Sequence, residues 1–338
     1  MKSSKSAASR RELPALARIV KRAIRTLVYS ILDKPLAPPT RRERELVEDL
    51  RNAFRGIQAR DTAGLPDSEK SWAQHMNRLI ELVLDHNPRE FLRWDVIGYT
   101  MYVNSPGYIA TELKYLKSQS DWNSRWREAI QESAVGHPLP YWRYPRSSGN
   151  LIHHAYHIAQ FEEKTGTRIA DVETIFEFGG GYGCMCRLVH DMGFRGRYVI
   201  FDLPGFSSLQ QFYLNSYGLS AHSVESFGSS KHGIVCVSDY ELLDGLLDST
   251  TDGRSAALIA TWSLSETPTA FRESILSLTS EFDAFLISSQ SHYKEVDNIE
   301  FFERWRSGRQ DIDWSTWQIA HLGKNFYLTG KRKPAPIN

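Results

Sequence analysis

Two kinds of hydrophobic pattern divide the chain near residue 150. Over residues 41–135, apolar positions recur at helical spacing, as in RERELVEDLRNAF and WAQHMNRLIELVLDH, which predicts amphipathic helices. Beyond residue 150, helical stretches alternate with short apolar runs that predict strands: TIFEFG, RYVIFDLP, GIVCVSD, SAALIATWS and AFLISSQ. Strands that alternate with helices favour an α/β fold, doubly wound and Rossmann-like, with a mostly parallel sheet.

The last two apolar runs, STWQIAHL and KNFYLTGKR, have no full helix between them. They predict an antiparallel C-terminal hairpin at one edge of the sheet. The Pro-, Ser- and aromatic-rich HPLPYWRYPRSSGN, residues 137–150, predicts a loop between the two halves. We therefore predict a basic amphipathic helix and linker at 1–40, a helical lid or acceptor-binding region at 41–149, and a ligand-binding domain at 150–332.

Composition narrows the class of protein. The 338 residues are 41% apolar and carry a net charge of +1, which argues against a dedicated nucleic-acid-binding protein. Cys184, Cys186 and Cys236 form neither a disulfide framework nor a zinc-binding spacing. The first residues lack the apolar core of a signal peptide, so we expect a cytoplasmic protein.

The N-terminal charge is uneven. Residues 1–44 contain twelve Lys or Arg residues and three acidic ones, and LPALARIVKRAIRTLVYSIL at 13–32 has apolar residues at helical spacing. A basic amphipathic helix can lie on an anionic membrane surface, which leaves peripheral membrane contact open. Packing against the rest of the chain is the alternative, and we favour it because helical apolar stripes usually pack on protein.

Four glycines follow the first predicted strand of the second half, in TIFEFGGGYG. In doubly wound folds the ligand lies beyond the carboxyl ends of the strands, where bare backbone and a helix N-terminus meet it. The next strand ends at Asp202, at the separation where an acidic residue binds a ribose hydroxyl. The sequence therefore predicts a nucleoside-binding site here.

The details of the turn argue against a dinucleotide. A G-x-G-x-x-G fingerprint that starts at Gly179 requires glycine at position 184, which is Cys184. Glu177, two residues before the turn, would repel a pyrophosphate. It suits instead a ligand with a positive amino group, a ribose and no phosphate, such as S-adenosyl-L-methionine.

FEFGGGYG and VIFDLP resemble the first and second motifs of the class I S-adenosylmethionine-dependent methyltransferases. The resemblance covers about residues 150–332. It is greatest to a sugar O-methyltransferase family found in gene clusters for bacterial surface polysaccharides, through EFGGGYG, DLPGFSSLQQFYL, SGNLIHHAYHI and NFYLTGKR. The resemblance implies a methyltransferase that modifies a sugar hydroxyl, on a nucleotide sugar or a surface glycan.

The resemblance also implies roles for individual residues. The turn would line the methionine and ribose, Glu177 would lie near the amino group, Asp202 would bind the ribose hydroxyls and Leu203 would contact the adenine. Ser238 and Asp239, after the third strand, would approach the adenine amine, although HSVESF at 222–227 is an alternative third strand. The implied cofactor-binding residues are Glu177, Gly179, Gly180, Gly181, Gly183, Asp202, Leu203, Ser238 and Asp239.

A sugar hydroxyl is weakly acidic, so methyl transfer needs a base or a metal. We rank His292 and Glu266 first as bases because each follows a predicted strand directly, and His154 next. No acidic pair has convincing spacing for Mg²⁺, so we predict no metal site. Arg143 and Arg146, in the aromatic YWRYPR, are candidates to face a charged acceptor.

Two other functions stay open. One is a nicotinamide-dependent sugar oxidoreductase, against which Cys184 counts. The other is a non-catalytic Rossmann-like scaffold in glycan assembly, which the sequence does not exclude. The acceptor, the oligomeric state and the role of the basic arm are not predicted.

Overall fold

The computed structural model describes residues 26–27, 30–31, 33–103, 107–228, 230–248, 255–294 and 296–334. Most of the predicted basic helix at 13–32 therefore lies outside the described residues. Of its apolar stripe, Leu27 and Ile31 are described, and both are exposed. Within the described ranges, no helix has both the length and the apolar character that a membrane span requires.

The region predicted to be helical, residues 41–135, is mostly helical. Its main helices are α1 (Arg41–Arg55), α2 (Asp67–Asp85), α3 (Asp95–Thr100) and α4 (Ile109–Ser118), with shorter helical stretches at Pro88–Arg93, Trp122–Trp126 and Arg127–Ala129. Helix α1 begins where the Pro-rich linker ends, because Thr40 and Glu43 form a reciprocal capping box. The prediction of a loop at 137–150 is partly wrong, since Pro140–Tyr141 (β1) and Tyr144–Ser148 (β2) pair as an antiparallel hairpin.

The second half alternates strands and helices. Helix α5 (Gly149–Thr165) precedes β3 (Thr174–Phe178), and the chain continues through α6 (Cys184–Asp191), β4 (Arg197–Phe201), α7 (Pro204–Tyr217), β5 (Ala221–His222), α8 (Val224–Gly228), β6 (Gly233–Val237) and α9 (Tyr240–Asp248). It ends with β7 (Ala256–Thr261), α10 (Thr269–Ser277), β8 (Ala284–Gln290), the small hairpin β9 (His292–Tyr293) and β10 (Val296–Asp297), α11 (Asn298–Ser307), β11 (Ile312–Gln318) and β12 (Asn325–Arg332).

These strands form one eight-stranded sheet in the order β11-β12-β8-β7-β3-β4-β6-β5. Strand β12 is antiparallel to both of its neighbours, whereas the pairs from β8 to β5 are parallel. The predicted fold class is confirmed: a Rossmann-like α/β sheet with an antiparallel C-terminal strand, preceded by helices. The alternative third strand at 222–227 is wrong, because Val224–Gly228 is helical and Gly233–Val237 is the strand beside β4.

Strand order reverses at β3, which is the topological switch point of the sheet. From β3 the chain extends outward through β4 and β6 on one side, and it returns to β7 and β8 on the other. A hydrophobic core lies on each face of the sheet, and alternate strand residues such as Ile175 and Phe176 enter opposite cores. The helices before residue 149 share the first core with α5, α6 and α7, so they pack directly over the switch point.

Candidate functional site

A cavity of about 730 Å³ lies where β3, β4 and β7 end. Its other side is formed by the helical region, through residues between Ile57 and Met76, residues 98–103 and Tyr108. The volume lies within the range of about 300–1,000 Å³ that is usual for small-molecule and cofactor sites. The place agrees with the rule that ligands of open α/β sheets bind at the switch point.

The glycine turn lines this cavity and needs its glycines for reasons internal to the protein. Gly179 has φ +73°, and a Cβ there would overlap Ser263, whose hydroxyl donates to the carbonyl of Phe178. Gly181 has φ +58° and lies against Met101 of the helical region. The positive φ values disfavour larger residues at both positions, and Ser263 also excludes a side chain at Gly179, so the turn is held between Ser263 and Met101 of the helical region.

Asp202 follows β4 and closes the turn from the side. Its Oδ2 accepts hydrogen bonds from the backbone N–H of Gly181 and from Gln210 Nε2, both at 3.0 Å, and its Oδ1 accepts from the N–H of Leu203 at 2.8 Å. A carboxylate has about four acceptor positions, so one position on Oδ1 is left for a ligand. Burial raises the pKa of Asp202 to about 7, although the N–H groups of Leu203 and Gly181 oppose that shift.

Glu177 is buried beneath the same turn and also lines the cavity. Its Oε2 accepts a hydrogen bond of 2.9 Å from the hydroxyl of Tyr198. Burial raises the pKa of Glu177 to about 8, and the hydrogen bond from Tyr198 opposes the shift only in part. Two carboxyl groups therefore flank the glycine turn, and a cationic ligand above it would favour their ionised forms.

The other predicted cofactor-binding residues are placed differently. Gly180 and Leu203 line the cavity. Leu203 is 41% exposed, so its side chain is accessible to a ligand. Gly183 is the N-cap of α6 and lies outside the lining. Ser238 and Asp239 are exposed after β6 and also lie outside it, and Asp239 accepts from the N–H groups of Glu241 and Leu242 at the start of α9.

The predicted bases are also separated. Glu266 and His154 line the cavity, whereas the structure does not bring His292 there, because the chain turns away after Gln290 into the β9–β10 hairpin. The His292 side chain is 63% exposed and pairs with Asp297 at 3.2 Å.

The environments of the two remaining bases differ. Burial raises the pKa of Glu266, whose Oε1 accepts a hydrogen bond from Gln290. Burial lowers the pKa of His154 to about 3, which makes its imidazole a weak base. Arg272 holds the loop of Glu266 in place by donating to the carbonyls of Ser265 and Thr267.

A wall of histidines faces the glycine turn. His153, His154 and His157 of α5 line the cavity, and the carboxylate of Glu112 lies behind them. One oxygen of Glu112, Oε1, lies 2.8 Å from His153 Nδ1 and 2.8 Å from His321 Nε2. Burial on its own raises the pKa of Glu112, but the hydrogen bonds with His153 and His321 outweigh burial and lower that pKa.

Trp262, directly after β7, joins this histidine wall to the glycine turn. Its ring stacks on His153 with a centroid distance of 5.6 Å and an interplanar angle of 23°. Trp262 has φ +65°, which is uncommon for a residue other than glycine. Two hydrogen bonds hold it there, from its N–H to the carbonyl of Ser288 and from Nε1 to Asn325 Oδ1. Such strain persists where the surroundings over-determine it, often at functional sites.

The Asp, Glu, Lys and Arg residues of the described lining are mostly acidic. Its acidic residues are Glu69, Glu177, Asp202 and Glu266, and its one Lys or Arg residue, Arg60, pairs with Glu69 at 3.3 Å. Arg143 and Arg146 lie outside the lining, and Arg143 stacks on Trp142 instead. Among the described residues, no group of three or more His, Cys, Asp or Glu residues has the arrangement of a metal site.

Sequence reasoning missed Glu112, His321 and Tyr108. One signal was available: Glu112 stands on the apolar face of IATELKYL, three residues after Ile109 and four before Leu116. A carboxylate on a buried helix face needs a partner, so it marks a buried polar network. His321 carries no comparable local signal, because it lies in the connection between β11 and β12.

No protein-family model and no curated protein matches the sequence. Solved structures to which the chain is similar include the N-terminal domain of human METTL16 in complex with SAH, at 10% identity and a TM-score of 0.36, over 54% of this chain and 70% of that one. The mitomycin 7-O-methyltransferase MmcR is 10% identical with a TM-score of 0.34, over 95% of this chain and all of that one (100%). SAH-bound PaMTH1 of Podospora anserina, a methyltransferase, is 8% identical with a TM-score of 0.35, over 80% of this chain and 98% of that one. Likeness at this level decides nothing about activity.

Proposed function

We propose that the protein is an S-adenosylmethionine-dependent O-methyltransferase that acts on a hydroxyl of an uncharged sugar. The observation that carries the proposal is Asp202, which is bonded to the glycine turn at the switch point and keeps one acceptor position on Oδ1. A ribose hydroxyl would donate to that position. Gly179, Gly180 and Gly181 would lie under the methionine and ribose, and Gly183 would set the start of α6.

The charges of the cavity support this donor over a dinucleotide. The ammonium and sulfonium of S-adenosylmethionine are cationic, and Glu177 and Asp202 are the acidic groups nearest the turn. A pyrophosphate would meet four acidic residues and one arginine that is already paired. We therefore favour methyl transfer over a nicotinamide-dependent oxidoreductase.

The same charges bear on the acceptor. A nucleotide sugar carries a diphosphate, and the described lining offers it no unpaired Lys or Arg side chain. Aromatic residues suit the C–H faces of neutral sugars, and the side of the cavity formed by residues 41–149 is rich in them: Trp72, Tyr99, Tyr102 and Tyr108. We favour a neutral glycan over a nucleotide sugar, and residues 41–149 as the region that binds it.

Other roles follow from the same placement. Leu203 is proposed to contact the adenine, and Ser238 and Asp239 would reach the adenine amine only after a rearrangement of the loop that follows β6. Of the predicted bases, Glu266 and His154 are within the cavity. We carry His292 no further as a base, because it is exposed outside the cavity.

The test is incubation of the protein with S-adenosylmethionine labelled in its methyl group. The acceptors are neutral methyl glycosides, neutral oligosaccharides and nucleotide sugars, and products are identified by mass spectrometry. A parallel incubation with NADH in place of S-adenosylmethionine tests for oxidoreductase activity. We expect one added methyl group on a neutral sugar. Binding of S-adenosylhomocysteine without any methylated product would favour the non-catalytic scaffold, and oxidation of NADH would favour the oxidoreductase.

A further inference from the structure

The histidine wall contains one imidazole whose position, tautomer and cavity access are all fixed by its neighbours. His153 lines the cavity, and its ring contacts the ring of Trp262 and the ring of Tyr108, each at a centroid distance of 5.6 Å. The ring of His157 packs on it edge-on, with a centroid distance of 4.1 Å. A base held on several sides keeps one orientation towards a substrate, which is what efficient proton transfer needs.

Glu112 decides which nitrogen of His153 carries the proton. A carboxylate only accepts hydrogen bonds, so the contact between His153 Nδ1 and Glu112 Oε1 requires a proton on Nδ1. The lone pair of a neutral His153 is then on Nε2. This arrangement of carboxylate and imidazole is the one that orients a general base and stabilises the imidazolium after the proton has moved.

His321 completes the arrangement from a distant part of the chain. Its Nε2 bonds the same oxygen of Glu112, and the other oxygen, Oε2, is buried without a hydrogen-bond partner among the described residues. The Glu112 side chain is fully buried (0% exposed), so the protein bears the cost of desolvating a carboxylate here. Two imidazoles on one oxygen hold that carboxylate in a single orientation.

Resting on the proposed function, we propose that His153 is the general base of the methyl transfer, with Glu112 and His321 as its positioning residues. The acceptor oxygen attacks the methyl carbon and forms the new O–C bond, while the C–S bond breaks and its electron pair goes to sulfur. The hydroxyl proton moves to His153 Nε2. The imidazolium is paired with Glu112 until the proton passes to water, and S-adenosylhomocysteine leaves uncharged at sulfur.

The place of His153 relative to the glycine turn supports this role. Trp262 stacks on His153, and the next residue, Ser263, packs against Gly179. His154, its neighbour on α5, differs: its Nδ1 is buried without a hydrogen-bond partner in the part of the chain that the structure describes. His157 is bonded through Nδ1 to the hydroxyl of Tyr327, and burial lowers its pKa well below the usual value. Of the three histidines on the wall, His153 alone pairs with a carboxylate.

The kinetic test compares His153→Ala and His153→Gln with the wild-type protein on the neutral glycoside or oligosaccharide that it methylates fastest. We expect turnover to fall by about 10²–10⁴-fold while the Kd for S-adenosylhomocysteine stays within a few fold. The matched control is His232→Gln, an exposed histidine before β6, which should change neither. Unchanged turnover in both His153 variants would overturn the proposal and leave the proposed function intact.

The positioning role has its own readout. Glu112→Gln should lower turnover by a similar factor and move the acid limb of the pH–rate profile to lower pH, because the neutral amide stabilises the imidazolium less. The titratable groups that face His153 are Glu112 and Tyr108 from the α4 side, His154 and His157 from α5, and His321. A loss of rate without movement of the acid limb would assign Glu112 a structural role only.

A measurement that needs no acceptor completes the design. Imidazole ¹⁵N spectra of the full chain, assigned by the signals lost in His153→Gln and recorded above the acid limb of the pH–rate profile, should show neutral His153 in the tautomer with its proton on Nδ1. The other tautomer, with the proton on Nε2, would overturn the proposal, since Nε2 would then have no lone pair for the hydroxyl proton. If the wild-type protein neither binds S-adenosylhomocysteine nor methylates any acceptor, the proposed function is wrong. The spectra test the tautomer of His153 independently of that result.

Discussion

The two sides of the cavity are built in different ways. The glycine turn, with Glu177 before it and Asp202 and Leu203 after the next strand, comes from one continuous stretch of sequence. The histidine wall lies on one helix, α5, but the residues that hold it come from separate segments: Tyr108 and Glu112 of the helical region, Trp262 after β7 and His321 between β11 and β12.

The two sides therefore differ in the substitutions that they tolerate. The turn is constrained by backbone conformation and by contacts with Ser263 and Met101, so few residues are acceptable there. The wall depends on side chains that meet only after folding, and chemistry on a shared scaffold commonly varies in such places. Variants of each side should therefore affect different quantities: the turn, donor binding; the wall, turnover or acceptor binding.

The largest effect expected on the turn side is that of Asp202→Asn. The amide loses the negative charge and presents an N–H₂ group where the carboxylate accepted, so we expect the Kd for S-adenosylhomocysteine to rise about 10–100-fold, equivalent to about 1.5–3 kcal/mol for a charged hydrogen bond. Isothermal titration calorimetry measures this. Asp244→Asn, an exposed residue of α9 with no part in the proposed site, is the control and should bind normally. An unchanged Kd for Asp202→Asn would contradict the proposed hydrogen bond between Asp202 and the ribose.

The next effect is the pH dependence of stability from Glu177. Burial raises the pKa of Glu177 to about 8 in the folded protein, against 4.5 in the unfolded chain. The stability that its protonated form contributes is therefore present below pH 4.5 and is lost as pH rises to about 8. Glu177→Gln should remove that loss, which is at most about 1.4 kcal/mol per pH unit, and should raise the Tm at pH 8 relative to the wild type.

The control for this effect is Glu273→Gln, an exposed residue of α10 that should leave the pH dependence of Tm unchanged. Ionisation of Asp202 also lowers the stability of the protein, between about pH 3.8 and 7. The dependence of Tm on pH in Glu177→Gln should therefore retain the part that Asp202 causes. If Tm of the wild type and of Glu177→Gln fall in parallel from pH 5 to 8, Glu177 is ionised throughout and does not lie in the environment described.

The smallest effect is expected at the exposed edge of the cavity, on the side of the helical region. Tyr99 lines the cavity and is 90% exposed, so its ring is free to stack on a sugar. Tyr99→Ala should raise the KM for the acceptor by about 2–10-fold, equivalent to an aromatic contact of about 0.5–1.5 kcal/mol, without changing donor binding. Leu242→Ala, an exposed residue of α9, is the matched control. A changed Kd for S-adenosylhomocysteine in Tyr99→Ala would contradict the proposal that this side of the cavity binds the acceptor and not the donor.

The sequence predicted the sheet and the turn because both depend on local order. Alternating apolar runs gave the parallel strands, and the separation of Gly179 from Asp202 placed both at the carboxyl ends of adjacent strands. HSVESF was ambiguous because a short run with one apolar pair fits either a strand or a helix.

The histidine wall could not be predicted in the same way. HHAYH shows three histidines but not which one meets Glu112, because that depends on the packing of α4 against α5. His292 follows a buried strand as a catalytic residue should, yet the β9–β10 hairpin carries it to the surface. Position along the chain gives the end of a strand, and the direction of the next few residues decides where the side chain goes.

The most direct test of the central claim is a crystal structure of the full chain with S-adenosylhomocysteine. We expect the ligand to lie over Gly179–Gly181, with a ribose hydroxyl hydrogen-bonded to Asp202 Oδ1 and the sulfur on the side of the turn that faces His153. Density for the ligand elsewhere, or a ribose that makes no contact with Asp202, would contradict it.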